Sequence, residues 1–276
     1  MESHKQVESG LQLLARLCHR PSLQGLNSIL FSNGPHSSEI IEISGNVSSG
    51  KTLLLTTLLS KSVLPLKYQE IDVKGFEVHV ILINTDHHFQ VSKIANILLG
   101  HLKKACKLSN AVLGNEELES IVNSSLNRLI IINCYNRDQF FLSIQSLESI
   151  LISNEKISLI AIDSLSAFYW EDRESGGIWM MDLYIKHLLL LIQKNVSHFN
   201  IVTIYTRPSS FLTKGRDTDD RAVAPPMQKL HYKIQLHRQE NCNTFFAIVE
   251  FAKTKKKVAY VIEADDIKWM EEKEPA

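Results

Sequence analysis

The feature that most constrains this chain is a glycine-rich segment, Gly45-Asn46-Val47-Ser48-Ser49-Gly50-Lys51-Thr52, which matches the pattern G-x-x-x-x-G-K-[ST]. In this pattern the glycines let backbone N–H groups face phosphate oxygens, the lysine reaches the β- and γ-phosphates, and the threonine hydroxyl ligates Mg²⁺. We expect a strand over Glu39–Ser44 and a helix over Lys51–Ser60, whose positive N-terminal end would face the anion. A surface turn is the alternative, but these flanking elements favour a nucleotide site that holds ATP and Mg²⁺.

The composition is that of an ordinary globular protein without a net charge. Of the 276 residues, 44% are apolar and 22% are charged, and 30 basic residues balance 30 acidic ones. A balanced charge gives no general attraction to nucleic acid or to a membrane. Contact with DNA would therefore require a local basic patch or a partner subunit.

Cysteine usage and the apolar runs predict the compartment. The four cysteines are widely scattered without a C-x-x-C pair, which indicates reduced intracellular thiols and neither a disulfide framework nor a zinc site. They are Cys18, Cys106, Cys134 and Cys242. No apolar signal-peptide core follows the N-terminus, and the longest apolar run, Leu188–Ile192, is too short to span a bilayer. We therefore expect a protein of the cytosol or the nucleus.

Apolar runs of strand length alternate with segments of helical periodicity after the loop. The runs are rich in β-branched residues and continuously apolar, which is typical of parallel strands buried on both faces. The sequence therefore predicts an α/β fold with a mostly parallel central sheet flanked by helices. The predicted strands are Val78–Ile83, Arg128–Ile132, Leu159–Ile162 and Asn200–Tyr205, and the predicted helices are Val91–Leu108, Gln139–Ser153 and Ile178–Lys194.

The two ends of the chain differ from this central pattern. Residues 1–35 combine a segment of helical spacing with a stretch rich in Ser, Asn and Gly, which predicts a short helical arm and a linker. Near the other end, short strands separated by polar turns predict a C-terminal antiparallel meander. These strands are Tyr232–His237, Thr244–Phe251 and Val258–Ile262. We expect residues 36–276 to form one ATP-binding core.

Two carboxylates at strand ends could complete the nucleotide site. Asp163 ends an apolar strand, where it would hold Mg²⁺ opposite Thr52; a helix cap is its alternative role. Asp86 ends another strand and is the candidate to orient an attacking water molecule. His87 and His88 follow directly, and because neighbouring side chains of an extended chain point to opposite faces, we expect loop residues and not a shared metal site.

Three segments of the chain resemble the RecA/RadA recombinase superfamily and, within it, the eukaryotic recombinase paralogues. They are Glu8–Leu17, Thr85–Phe89 and Asp163–Trp170, the last of which is followed by Asp172-Arg173 and Gly176-Gly177. The aromatic triplet Phe168-Tyr169-Trp170 after the candidate metal aspartate is the most specific feature. The resemblance extends from residue 7 to about residue 210 and is weaker beyond that point.

The resemblance implies a RecA-type ATP-binding core that works in homologous recombination in the nucleus. Members of this branch assemble with other recombinase paralogues and help the strand-exchange filament to load on DNA. The implied partners are therefore a delta-type paralogue, the strand-exchange recombinase and, through the complex, single-stranded DNA.

The chain departs from the recombinase pattern at positions that matter for catalysis. Asp86 takes the place of the family's catalytic glutamate, so its carboxylate is retracted by about 1.5 Å, one carbon–carbon bond, and such a misplacement can lower a rate about a hundredfold. Arg207 takes the place of a glutamine that couples the ATP state to DNA. The first DNA-binding loop corresponds to Glu171–Gly177 and is net acidic, and the second, over residues 208–226, mixes both charges. These departures predict at most a weak DNA-dependent ATPase.

Two further patterns have both a structural and a functional interpretation. The basic run Lys253–Lys257 is expected in a hairpin turn, where it would protect a sheet edge from pairing, with DNA contact as the alternative. Four large apolar residues have helical spacing, which indicates a core or a subunit interface. They are Trp179, Tyr184, Leu188 and Ile192.

Three functions remain open from the sequence. The first is an ATP-binding assembly subunit that helps the strand-exchange recombinase act on single-stranded DNA during repair of double-strand breaks. The second is an active DNA-dependent ATPase or recombinase that uses Asp86 as its base. The third is a small-molecule kinase, which would need a lid of arginines, and only Arg207, Arg216 and Arg221 are placed for that role. The departures from the recombinase pattern favour the assembly subunit.

Overall fold

The computed structural model describes residues 8–209, 230–238, 244–263 and 266–270. The strands are β1 (Ile40–Gly45), β2 (Lys67–Tyr68), β3 (Ile71–Asp72), β4 (His79–Asn84), β5 (Leu129–Asn133), β6 (Ile157–Asp163), β7 (Val202–Pro208), β8 (Tyr232–Arg238), β9 (Phe245–Phe251), β10 (Thr254–Glu263) and β11 (Asp266–Met270). The helices are α1 (Gly10–Cys18), α2 (Lys51–Val63), α3 (Val91–Leu108), α4 (Asn115–Leu126), α5 (Arg137–Ser153), α6 (Tyr169–Glu174) and α7 (Met181–Val196), and a 3₁₀ turn follows at Ser197–Phe199.

Nine of these strands form one sheet in the order β11-β10-β9-β8-β1-β7-β6-β4-β5, while β2 pairs with β3 in a small separate ribbon. The strands from β8 to β5 in this order are all parallel. Because parallel strands end at the same edge, the carboxyl ends of β1, β4 and β6 lie side by side. Ligands of open α/β sheets bind outside this edge.

The sheet has a separate hydrophobic core on each of its faces, because successive strand residues point to opposite sides. Ile41 and Ile43 of β1 belong to the core that α2, α3 and α4 cover, whereas Ile40 belongs to the core that α5 and α7 cover. Helices on both faces of a mostly parallel sheet are the RecA-like α/β arrangement that the sequence predicts.

Most helices lie where the sequence predicts them, and α3 spans the predicted Val91–Leu108. The helices α4 and α6 are additional. Helix α4 has a recognisable signal, since its buried residues Leu118, Ile121 and Val122 have helical spacing and the Glu117 carboxylate accepts a hydrogen bond from the N–H of the N-cap Gly114. Among the described residues, no helix is both long enough and apolar enough to cross a bilayer.

The C-terminal strands extend the central sheet. Strand β8 pairs in parallel with β1, and β9, β10 and β11 follow in antiparallel order. The predicted antiparallel meander is therefore confirmed, with two differences: its first strand joins the parallel part of the sheet, and a fourth strand, β11, is present. This strand has only 5 residues, too few for its periodicity to stand out from that of a polar turn.

The N-terminal helix α1 lies on the surface, while the stretch that follows it is buried. No residue of α1 is buried, and Leu11 and Leu14 are exposed. The predicted linker, by contrast, places Leu23, Leu26 and Phe31 in the hydrophobic core. The segment before β1 is therefore packed against the sheet, and the division between an arm and a core near residue 35 stays a prediction.

Part of the sequence-based prediction falls outside the described residues. Cys18, Cys106 and Cys134 are free thiols, whereas Cys242 is outside these ranges. Most of the predicted second DNA-binding loop, residues 210–226, is outside them as well, together with the kinase-lid candidates Arg216 and Arg221.

Candidate nucleotide-binding site

The glycine-rich loop joins a parallel strand to a helix. Strand β1 ends at Gly45 and α2 begins at Lys51, as the motif requires. Gly50 is the N-cap of α2 and has a φ of 86°, in the left-handed region that favours glycine. Within the loop, the N–H of Ser49 donates to the carbonyl of Asn46 at 3.3 Å. The loop therefore curls over the N-terminus of α2, a position that attracts phosphate.

Lys51 lies inside the loop and points back along it. Its Nζ atom donates to the carbonyl oxygens of Gly45 at 3.1 Å and Asn46 at 2.9 Å. Burial lowers the pKa of Lys51, and the nearby carboxylates of Asp163 and Asp86 oppose this shift. The lysine is thus a partly buried cation that is held only by neutral carbonyl groups, so it can be transferred to an anion without breaking an ion pair.

Asp163, at the end of β6, is buried directly beside the loop and is only 2% exposed. The hydroxyl of Thr206 in β7 donates to its Oδ1 atom. Its Oδ2 atom has no hydrogen-bond partner among the described residues. Burial raises the pKa of this carboxyl, while the hydroxyl groups of Thr206 and of the nearby Thr52, together with the charge of Lys51, lower it. A buried carboxylate oxygen without a partner fits a hard cation such as Mg²⁺, whose preferred ligands are oxygens.

The ends of β4 and β6 are tied together at the site. The backbone N–H groups of Thr85 and Asp86 both donate to the carbonyl of Asp163, at 2.9 and 3.0 Å. This contact places the exposed side chain of Asp86 on the same pocket as Asp163. The pocket has a volume of about 520 Å³. Its lining includes Val47, Ser48, Gly50, Lys51, Thr52, Asp86 and Asp163, so the motif and both predicted carboxylates share one cavity.

The pocket also contains two side chains that the sequence did not assign to the site. They are His88, from the loop before α3, and Lys93, in the first turn of α3. His87 points elsewhere: its ring stacks on Tyr135 at 4.4 Å and its Nε2 atom lies 3.1 Å from the carbonyl of Cys134. The two histidines therefore separate, as expected, but His88 belongs to the site. Only the fold reveals this, because nothing in the sequence orients the loop.

Arg207 directly follows Thr206, which contacts Asp163, but the side chain of Arg207 lies away from the pocket. It is 4% exposed and does not line the pocket. Its Nη1 atom donates to Asp182 of α7 at 2.7 Å, and its Nε atom lies 3.8 Å from Glu42 of β1. Glu42 also accepts a hydrogen bond from Tyr205 at 2.8 Å. These groups lie on the α5 and α7 side of the sheet, whereas Thr206 points to the loop.

The predicted first DNA-binding loop has no cation available for phosphate. Its only basic residue, Arg173, lies between two indole rings, with its guanidinium 5.1 Å from the ring centre of Trp170 and 4.3 Å from that of Trp179. Trp179 precedes α7 and is 70% exposed, so the prediction that it shares a helix face with Tyr184 is wrong. Tyr184, Leu188 and Ile192 are buried on α7, as predicted.

The basic run near the C-terminus lies in a different place from the one predicted. The turn is formed at Ala252 and Lys253, while Lys255–Lys257 belong to β10. Strand β10 pairs with β11 only from Ala259 onward, so among the described residues Lys255–Lys257 pair with β9 alone, and their other side is a sheet edge, as the structural interpretation predicts. Cross-strand pairing places Glu250 between Lys233 and Lys255, and the ring of Phe246 stacks on His237 at 4.8 Å. These residues form one open face of the meander, described below as the basic sheet face.

Comparison with known proteins gives a consistent assignment. No family model matches the chain. The mouse DNA repair protein XRCC2 is 30% identical over 220 residues, which are 78% of this chain and 73% of the mouse protein. An Arabidopsis homologue of DNA repair protein XRCC2 is 23% identical over 164 residues, which are 51% of this chain and 44% of the plant protein. Together with the RecA-like fold, these similarities show that the chain belongs to the XRCC2 (X-ray repair cross-complementing protein two) family of RecA-type recombinase paralogues.

Proposed function

We propose that this chain is an ATP-binding recombinase paralogue that acts in homologous-recombination repair of DNA double-strand breaks. In this role it would be an assembly or mediator subunit that helps the strand-exchange recombinase act on single-stranded DNA. The observation that carries the proposal is the pocket in which Lys51 and an unpartnered oxygen of Asp163 meet the glycine-rich loop. The DNA repair role comes from the names of the mouse and plant relatives.

The residues of the pocket have separate roles in binding Mg²⁺-ATP. The loop N–H groups from Gly45 to Thr52 would hold the phosphates, and Lys51 would leave its two carbonyl partners for the β- and γ-phosphates. Thr52 and Asp163 would hold the metal, which neutralises phosphate charge when bound. Lys93 adds positive charge to the lining of the pocket, and the His88 imidazole adds a polar group. Nothing in this set requires ATP to be hydrolysed.

Weak or absent hydrolysis is part of the proposal. Asp86 lines the pocket, but it has a shorter side chain than glutamate, and Arg207 is held by Asp182 away from the pocket. A true ATPase or recombinase that uses Asp86 as a base is therefore the second candidate. A small-molecule kinase is less well supported, because Arg207, one of its three candidate lid arginines, is buried on the other face of the sheet.

Contact with single-stranded DNA is proposed at the basic sheet face. Four lysines and two glutamates lie on this face together with the stacked ring pair of Phe246 and His237. The lysines are Lys233, Lys255, Lys257 and Lys268, and the glutamates are Glu250 and Glu263. Lys255 pairs with Glu250 and Lys268 lies 3.6 Å from Glu263, so the face keeps a net positive charge beside a half-buried ring pair. This combination suits a flexible strand, whose phosphates and bases can both be bound. The first loop, by contrast, is net acidic, and its arginine is already in contact with Trp170 and Trp179.

The proposed partners are a delta-type paralogue and the strand-exchange recombinase, and the proposed compartment is the nucleus. Affinity purification of the tagged chain from nuclear extract, followed by mass spectrometry, tests this part. Recovery of recombinase paralogues supports the assembly role, and their absence from repeated purifications contradicts it. The Lys51→Ala variant should recover the same partners. Lys51 lies in the loop at the carboxyl edge of the sheet, and removal of its side chain changes no other surface.

ATP turnover separates the assembly role from the two enzymatic ones. We expect the purified protein to bind Mg²⁺-ATP but to hydrolyse it far more slowly than about 1 per second, with or without single-stranded DNA. DNA-stimulated turnover of about 1–10 per second would favour the motor, and phosphate transfer to a small molecule would favour the kinase.

The DNA contact has its own test. The double variant Lys255→Glu/Lys257→Glu should weaken binding of a labelled single-stranded oligonucleotide and lower its salt dependence, because each lost phosphate contact reduces the slope of log K against log salt by about 0.7. The double variant Lys103→Glu/Lys107→Glu on α3 changes the net charge equally and is the control. Equal losses in both would mean that only net charge matters.

A further inference from the structure

The C-terminal meander reaches the glycine-rich loop through one buried hydrogen bond. The hydroxyl of Tyr260, in β10, donates to the carbonyl of Ser49 at 2.7 Å, although the two residues are 211 positions apart. Both residues are fully buried. The Tyr260 ring is fixed between neighbours, with Phe245 at 5.4 Å and Trp269 at 5.4 Å between ring centres. The position of the hydroxyl is therefore set by the meander and not by the loop.

The Ser49 carbonyl receives no hydrogen bond from the helix that follows it. The backbone bond that opens α2 runs from the N–H of Leu54 to the carbonyl of Gly50, one residue beyond Ser49. A buried carbonyl without a donor is costly, so a loop that lost this bond would turn Ser49 toward another partner. Rotation of the Ser49–Gly50 peptide would move the Gly50 N–H, one of the groups that the motif directs at phosphate.

Both glycines of the motif are also in contact with the C-terminal strands. A side-chain carbon at Gly45 would lie 2.8 Å from the carbonyl oxygen of Leu236 in β8. At Gly50 it would lie 3.1 Å from Ile262 of β10 and 3.8 Å from Ile267 of β11. The glycines therefore allow close approach of the meander as well as the curl of the loop. Three strands of the meander touch the loop from outside the nucleotide motif.

We propose that Tyr260 is a positioning residue of the nucleotide site, and that the C-terminal meander completes this site. Tyr260 holds the Ser49 carbonyl away from the pocket, so that the following N–H groups stay directed at the phosphates. The inference rests on the proposed function, since it concerns the ATP affinity of the same loop. Nucleotide affinity then depends on contacts about 200 residues from the motif, which no part of the motif itself would indicate.

The test compares two tyrosines by titration of the full-length protein with Mg²⁺-ATP in a calorimeter. Tyr260→Phe removes only the hydroxyl and keeps the ring contacts, and we expect it to weaken Mg²⁺-ATP binding about tenfold. Tyr169→Phe is the matched control, because the Tyr169 hydroxyl also donates to a backbone carbonyl, that of Trp179, but it lies in the core on the other face of the sheet. The control should bind as the wild type does.

Hydrogen exchange of the amides in residues 46–52 without nucleotide gives a second measurement. Tyr260→Phe should accelerate exchange there and Tyr169→Phe should not, as long as both variants keep the circular dichroism of the wild type. If the wild type binds Mg²⁺-ATP and Tyr260→Phe binds it equally well, the inference is wrong. If the wild type does not bind at all, the proposed function fails, and unchanged exchange in Tyr260→Phe then overturns this inference separately.

Discussion

Two clusters of charged residues lie on opposite faces of the central sheet, and each contains one cation and two carboxylates. One cluster opens into the pocket of about 520 Å³, and its charges form no direct ion pair with one another among the described residues. The other is closed by direct pairing beneath α7. We call them the nucleotide cluster (Lys51, Asp86 and Asp163) and the arginine cluster (Glu42, Asp182 and Arg207). A carboxylate oxygen without a hydrogen-bond partner occurs in both clusters, on Asp163 and on Glu42.

The difference between the clusters comes from strand alternation and not from chemistry. Thr206 and Arg207 are neighbours in β7, so their side chains point to opposite faces. Thr206 contacts Asp163 in the nucleotide cluster, while Arg207 pairs with Asp182 in the arginine cluster. Similar charges therefore serve stability on the closed face and binding on the open face. A buried charge that lacks a protein partner indicates a ligand, and a paired one indicates structure.

The largest expected effect is loss of stability when the arginine cluster loses its cation. Arg207→Ala leaves Glu42 buried without its neighbouring positive charge, so the free energy of unfolding should fall by about 3 kcal/mol. Urea denaturation followed by circular dichroism measures this change. Lys104→Ala is the control, because it breaks the exposed ion pair with Asp266 and should cost less than about 1 kcal/mol. Equal costs would mean that the arginine cluster is no more structural than a surface pair.

The nucleotide cluster should respond to loss of its cation in the opposite way. Lys51→Ala should lower the affinity for Mg²⁺-ATP about 10- to 100-fold, since a hydrogen bond to a charged group is worth about 1.5–3 kcal/mol. Its free energy of unfolding should change by less than about 1 kcal/mol, because the cost of burying the Lys51 charge offsets the two hydrogen bonds that the ammonium donates. Calorimetric titration and urea denaturation give the two quantities.

Lys61→Ala is the control for this variant, because Lys61 is on the same helix and burial lowers its pKa as well, yet it lies at the far end of α2 from the loop. Nucleotide affinity should be unchanged by it. A Lys51→Ala variant that binds Mg²⁺-ATP as tightly as the wild type would contradict the assignment of the pocket.

The sequence predicts the parts of the fold and site that local patterns determine. The glycine-rich motif, the strand ending in Asp163 and helix α3 are all periodic or spaced within a few residues, and their predicted bounds agree with the structure. Contacts between distant segments are different. The bond from Tyr260 to Ser49 and the place of His88 in the pocket depend on how strands assemble, and no spacing along the chain indicates them.

Arg207 illustrates the same limit. Its neighbours in the sequence put it at the end of a core strand, which is correct, but alternation within β7 decides which cluster it joins. The bounds of the strand shift by a few residues from the predicted Asn200–Tyr205 to Val202–Pro208, and the face of a residue reverses with every shift of one. Pattern alone therefore cannot assign a residue at a strand end to a site.

Removing the charge of Asp163 should stabilise the protein while it impairs binding. Asp163→Asn keeps an acceptor for Thr206 but removes a buried charge whose pKa burial raises. We expect the free energy of unfolding without nucleotide to rise by about 1 kcal/mol, at the low end of the cost of an unsatisfied buried polar group. ATP binding should lose its dependence on Mg²⁺. Glu42→Gln, in the arginine cluster, should instead destabilise the protein, because it removes a charge that is paired.

The smallest and most specific expected effect is the pH dependence of the stability that Asp163→Asn gains over the wild type. Because the pKa of Asp163 is raised above the ordinary value of 3.8, the folded protein binds this proton more tightly than the unfolded chain does. The cost of the buried carboxylate is therefore fully present above the raised pKa and disappears as the pH falls from there toward 3.8.

The free energy of unfolding of Asp163→Asn should therefore exceed that of the wild type by less and less as the pH falls through this range. Burial also lowers the pKa values of His79, His101 and His237, but these groups are present in both proteins. Subtracting one free energy of unfolding from the other removes their contribution. Urea denaturation at several pH values between about 4 and 7.5 measures this difference. If this difference in the free energy of unfolding stays constant over the range, the Asp163 carboxylate is not the reason why Asp163→Asn is more stable. Burial of the Asp163 charge would then cost no more than burial of the paired acids of the arginine cluster.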